Sequence, residues 1–134
     1  MTERATPYET LFGHPPDFLV SYRVLTEEEG GRRTPIGQNY RCNWFYGEVP
    51  PKSGESRLYS IWPEFLDDDG SVLADKFAAA EGAATMWIPV PRLRPLHREL
   101  LRVGVIGFMS EANRPTIHCV VTQILGLHSN PVGD

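Results

Sequence analysis

The chain has 134 residues, of which 41% are hydrophobic and 22% charged, and its formal net charge is −4. That is the size and balance of one globular domain, which excludes a multidomain enzyme. An acidic balance also argues against a general nucleic-acid binder, DNA included, that works through bulk positive charge. Apolar runs such as Val103–Met109 are too short to span a bilayer. The first ten residues hold two acids and no apolar stretch, so no secretory signal is expected and the expected compartment is the cytoplasm. There the two cysteines, Cys42 and Cys119, which form no CxxC, are expected to be reduced.

Residues 1–17 carry Pro7, Pro15 and Pro16, show no period and are read as an irregular arm. Phe18–Thr26 then alternates, with Phe18, Val20, Tyr22 and Val24 on one face, which predicts a strand. Glu27–Gly37 is a polar loop punctuated by Gly and Pro, and the aromatic-rich Asn39–Tyr46 is a second strand. After the loop Gly47–Ser56 comes Leu58–Leu66, a strand whose Pro63 lacks a ladder donor and so belongs at an edge or bulge. Asp67–Val72 is turn chemistry, and Phe77–Ala84 is the best local helix candidate. Thr85–Val90 reads as a strand ending in prolines. Arg94–Gly104, with Pro near its start, Leu96 and Leu100 at i,i+4 and Gly past its end, predicts a single helical turn. Val103–Met109 and Pro115–Leu125, on either side of Ser110–Arg114, form a hairpin signal, and residues 127–134 read as a frayed tail. Six or seven short strands with Gly/Pro turns and almost no helix predict an all-β fold. The expected form is a small closed antiparallel barrel, one domain over residues 18–126.

No P-loop, GxGxxG, HExxH or GxSxG is present, so no cofactor, metal or GTP site is expected and no catalytic residue is assigned. Asp67-Asp68-Asp69-Gly70 has three consecutive acids and no closing Glu at calcium-loop spacing, which suits a solvated turn. His118 and Cys119 are adjacent in a strand, point to opposite faces and make no nucleophile–base pair. Arg92, Arg94, Arg98 and Arg102, with His97, form one basic cluster. It either meets phosphate or an acidic partner or merely solvates a helix face. The strand aromatics, Trp44 among them, are expected in the core, whereas Tyr40 and Arg41 at a strand start are surface candidates.

Two stretches are more specific. Glu29-Gly30-Gly31-Arg32-Arg33-Thr34-Pro35-Ile36, followed by Asn39-Tyr40-Arg41-Cys42-Asn43-Trp44-Phe45-Tyr46, resembles the start of the C-terminal β-barrel domain of elongation factor Tu. Val103–Phe108, Glu111–Arg114 and Val120–Leu125 resemble that domain's final hairpin, and order and spacing agree from Phe18 to Leu125. The chain is also similar to small stand-alone bacterial proteins of this barrel type. The resemblance implies that Gly30, Gly31, Arg32 and Thr34 lie on the side that meets the GTPase domain in the elongation factor, and Tyr40 and Arg41 near the tRNA-facing side. Arg33 stands where the family has histidine, Cys42 where it has proline, Asn43 where it has glutamine and Asn39 where it has glycine, and residues 47–84 are longer and different. With no GTPase domain in the chain, the expectation is a non-catalytic binding module. Its partner is expected to be a protein, docked through Gly30, Gly31, Arg32, Arg33, Thr34, Tyr40 and Arg41. A tRNA or other RNA partner is the alternative, and a small enzyme or ligand binder using Asp67–Asp69 or His118 is a third reading.

Overall fold

A computed structural model describes residues 7–47, 58–74, 77–112 and 114–133. The chain is mostly antiparallel β: α1 (Tyr8–Phe12), β1 (Phe18–Val24), β2 (Asn43–Tyr46), β3 (Tyr59–Ser60), β4 (Trp62–Phe65), β5 (Glu81–Trp87), a 3-10 turn (Pro91–Leu93), α2 (Arg94–Leu100), β6 (Ile106–Glu111) and β7 (Arg114–Ile124). The seven strands form one sheet in the order β3-β2-β6-β7-β1-β5-β4, curled into a half-barrel. Its two edge strands are separated in the chain by Ile61 alone, so the segment Tyr59–Phe65 pairs with β2 at one end and β5 at the other.

The alternation of β1 sends Phe18, Val20 and Tyr22 inside, where they meet Trp44, Phe65, Met86 and Met109. The Trp44 ring lies against Gly107 of β6, where a Cβ would come within 2.1 Å of its Cζ2. Only glycine lets the ring fill that layer. Pro63 sits in an edge strand as expected, and β6–β7 is the expected hairpin.

Three expectations need correction. Phe77–Ala84 is no helix: Gly82 weakens its helical tendency, and from Glu81 on the chain pairs with β1 on one side and, from Ala84, with β4 on the other. The N-terminal arm contains α1, which packs Tyr8 against Trp62 and Trp87 while the Tyr8 N–H donates to Glu64 Oε2 at 3.0 Å. The tail is ordered too: Leu127 and Asn130 are buried, and Leu127 N–H donates to the Asp17 carbonyl.

The N-terminal arm and the tail meet at one buried ion pair. Arg94 Nε lies 2.7 Å from Asp17 Oδ1, and both side chains are 0% exposed. Asp17 also accepts from the Ile88 N–H (2.8 Å), from Asn130 Nδ2 (2.9 Å) and from Arg94 Nη2 (3.3 Å). Arg94 in turn donates to the Ile88 and Pro131 carbonyls. A desolvated pair is tolerated only when its remaining donors and acceptors are met, as they are here. Arg94→Met leaves the Asp17 carboxylate buried without its cation and is expected to cost about 3–5 kcal/mol. Urea unfolding checks this; a loss under about 1 kcal/mol contradicts it.

Candidate functional site

The strand register gives the sheet two ends. At one, Phe18 meets Met86 and Ile124; α2, the N-terminal arm and the tail gather there. At the other, β1 runs out into the Gly-Gly-Arg loop beside the β6–β7 turn.

The loop begins with a short turn over Thr26–Gly31. Thr26 Oγ1 accepts from the Glu29 N–H (3.2 Å) and Glu29 Oε1 accepts from the Thr26 N–H (2.9 Å), a reciprocal box spelled T-x-x-E. Arg23 of β1 clamps the same carboxylate with Nη1 and Nη2 at 2.7 and 3.0 Å. These Arg23 hydrogen bonds, then the Thr26 N–H, hold the Glu29 carboxyl down at about 2. Gly30 leaves the turn at φ +94°, and Gly31 lies against Leu25 so closely that a Cβ would fall 2.3 Å from its carbonyl oxygen. Arg114 completes the loop from the far hairpin: its Nε donates to the Gly30 carbonyl (2.9 Å) and its Nη2 to the Gly31 carbonyl (2.6 Å).

The structure brings Arg32 and Tyr40 together on Glu111, with Thr34 bonded to the Arg32 guanidinium. Arg32 Nη1 lies 3.0 Å from Glu111 Oε2, and Nη2 donates to Thr34 Oγ1 at 2.8 Å. The Arg32 guanidinium sits 5.7 Å from the Tyr40 ring centre. The Tyr40 hydroxyl donates to Glu111 Oε2 (2.9 Å) and lies 2.8 Å from Thr116 Oγ1, and burial pushes its pKa up. Arg33 stands apart, its side chain 82% exposed and only loosely paired with Glu27. Arg41 does not join the cluster; its guanidinium lies over the Trp62 ring at 4.7 Å, on the α1 side. Sequence reasoning missed Arg23, Glu29, Glu111 and Arg114. The T-x-x-E box was readable, but nothing local in the sequence pairs Arg114 with a loop some eighty residues away.

The second basic cluster is not a patch. Arg94 is consumed by Asp17, and Arg98 donates to the Leu127 and Asn130 carbonyls, because the tail's carbonyls and the desolvated carboxylate need donors. Only Arg92 and Arg102 remain exposed. His118 lies on the outer face against Phe108, and Cys119 is buried on the inner one. Burial raises the thiols of Cys42 and Cys119, so both stay protonated. Asp67–Gly70 forms a turn, and no group of three metal-ligating side chains occurs among the described residues. Nor is any described helix long and apolar enough to cross a membrane.

His97, at the α2 end, is fully buried, with Nδ1 2.6 Å from the Tyr46 hydroxyl and its ring edge-on to Tyr59. Desolvation lowers its pKa from 6.5 to about 4, and the opposing effects of Asp17 and Arg94 are smaller. No protein-family model matches the chain, and no curated protein resembles it in sequence.

A histidine held neutral by the fold stabilises it only where the unfolded chain's histidine is also neutral. Its contribution is complete above about 6.5 and is lost as the pH falls towards 4, where the unfolded state binds the extra proton first. His97→Gln is expected to flatten the fall in unfolding free energy across that window by about 3 kcal/mol at most. Denaturant titrations at several pH values check it; an unchanged slope contradicts it.

Proposed function

We propose that the chain is a non-catalytic binding module that docks a protein partner through the Gly30–Pro35 loop and the neighbouring Tyr40. The observation that carries this reading is the bracing of the loop. A far arginine holds its two glycine carbonyls, a capping box closes its first turn, and Arg32 and Tyr40 converge on Glu111. A loop ordered before binding loses little conformational entropy on docking, which is how a small surface becomes a useful one. Arg33, exposed at its crest, is the contact residue of this reading, and Arg41 on its Trp62 platform is a peripheral one.

The charge arrangement favours protein over RNA. Arg23, Arg32 and Arg33 are already matched by Glu29, Glu111 and Glu27, so phosphates would have to displace carboxylates. We further read the curl as a closed barrel like the C-terminal domain of elongation factor Tu, since the single segment Tyr59–Phe65 supplies both edge strands, one paired with β2 and the other with β5. In this reading the chain binds no GTP and acts through its partner.

Affinity capture with tagged wild type and Arg33→Glu tests the assignment. The expected result is one stoichiometric protein, insensitive to RNase, whose recovery falls about tenfold or more in the variant. The melting temperature should not change, because so exposed a pair adds little stability. Equal recovery by the variant contradicts the docking site, and recovery of RNA lost on RNase treatment contradicts the protein partner.

A further inference from the structure

A groove of about 560 Å³ is lined by Leu66, Leu73 and Phe77 together with Asp67, Asp68 and Glu81. Leu66 and Leu73 are half-buried, Phe77 is 47% exposed, and the three carboxylates are exposed. Register sets the groove at the root of the Gly-Gly-Arg loop: Glu81 lies opposite Arg23, and the Val24 N–H donates to the Ala80 carbonyl. Both walls are tied down by the backbone. On one side the Leu66 N–H donates to the Ala83 carbonyl (2.9 Å), the Leu73 N–H to the Phe65 carbonyl (2.8 Å) and the Asp67 N–H to the Ser71 carbonyl (2.7 Å). On the other the Ala78 N–H donates to the Ile36 carbonyl (2.8 Å) and the Tyr22 hydroxyl to the Ala79 carbonyl (3.2 Å). The groove is thus formed before anything enters it, as ligand-binding clefts usually are.

Charge and shape together identify the occupant. Among the described residues no ion pair takes up Asp67, Asp68 or Glu81. Arg23, the cation opposite Glu81, is already clamped by both oxygens of Glu29. Asp69 is not counted, since its carboxylate is turned onto Ser71, and the neighbouring Asp75 and Lys76 cancel in formal charge. Three unmatched carboxylates repel nucleic acid and anionic lipid alike. A second copy would set the same acidic rim against itself. A bare divalent ion needs converging oxygens, and no group of three metal-ligating side chains occurs among the described residues. Spread carboxylates beside leucines and a phenyl ring suit a cation on an apolar stem, and a guanidinium also stacks on aromatic faces. We propose that this groove takes an arginine side chain from an extended segment of the protein partner. The stem lies along Leu73 and Phe77, and the guanidinium meets Asp67, Asp68 and Glu81. The assignment rests on the reading of the chain as a protein-binding module and adds the chemistry its partner must present.

The probe is the acetylated, amidated peptide Gly-Leu-Arg-Leu-Gly, titrated into the ¹⁵N-labelled full chain. Amide shifts should saturate at 66–73 and 77–83, and binding should weaken as salt rises. Norleucine in place of the peptide's arginine keeps the stem and removes the charge, and should weaken binding about tenfold or more. Asp68→Asn with Glu81→Gln in the chain should do the same. Both side chains are exposed and both replacements keep their shape, so the rest of the spectrum should be unchanged. The Arg33→Glu chain should bind the peptide as well as wild type. A failure of the loop reading therefore shows in partner capture, and a failure of the groove shows in the titration. Four results overturn the proposal: no saturable shifts at these amides, equal binding of the norleucine peptide, equal binding by the Asp68/Glu81 variant, or wild-type dimers that dissociate in that variant.

Discussion

The Asp17–Arg94 pair is the constraint on which the rest of this small protein depends. Two charges with no solvent contact are costly unless every remaining donor and acceptor is satisfied. Satisfying them brings four separate pieces of chain to one point: the end of the N-terminal arm, Ile88 after β5, the first residue of α2, and Asn130 with Pro131 in the tail. Each is short and would have little reason to be ordered alone. A five-residue helix and a seven-residue helix are both below the length at which helices persist in water. The ion pair therefore gives this end of the sheet specificity of arrangement as much as stability.

The pair also has a consequence for the surface. Arg94 must face inward, and with it His97 one turn on; the helix then has only its other side to show to solvent, and that side carries Leu96 and Leu100. The opposite end of the sheet is organised differently. There the charges are exposed or half-exposed and work in pairs: Arg23 with Glu29, Arg32 with Glu111, Arg33 with Glu27. Individually such pairs contribute little to stability. Together with Arg114 on the Gly30 and Gly31 carbonyls they fix a shape, and fixing a shape is what a docking loop requires.

Much of the architecture was legible in local pattern. The alternation of Phe18, Val20 and Tyr22 and the edge position of Pro63 follow from periodicity and turn chemistry and appear as read; the hairpin expected from Val103–Met109 and Pro115–Leu125 is present, with a tighter turn because Ser110, Glu111 and Arg114 pair in its strands. Phe77–Ala84 was misread because alanine's helical tendency is local, whereas the pairing of Glu81–Trp87 between β1 and β4 is not. The site was legible in part. Gly30, Gly31, Arg32, Thr34 and Tyr40 do gather in one place, but Arg41 turns to Trp62, and Arg94 and Arg98 serve buried carbonyls and a carboxylate. An arginine looks the same in sequence whether it meets solvent or a buried acid. Its partner here, Asp17, lies 77 residues away and no period points to it.

The account rests on a docking loop that is rigid before any partner arrives. Backbone ¹⁵N relaxation of the free protein, read at the amides of Gly30–Thr34, tests that directly. Rigidity predicts order parameters close to those of β1 and β7, about 0.85, falling in an Arg114→Ala chain that loses the brace. Values below about 0.6 in the wild type would contradict it, because a loop that orders only on binding has no preformed surface to offer.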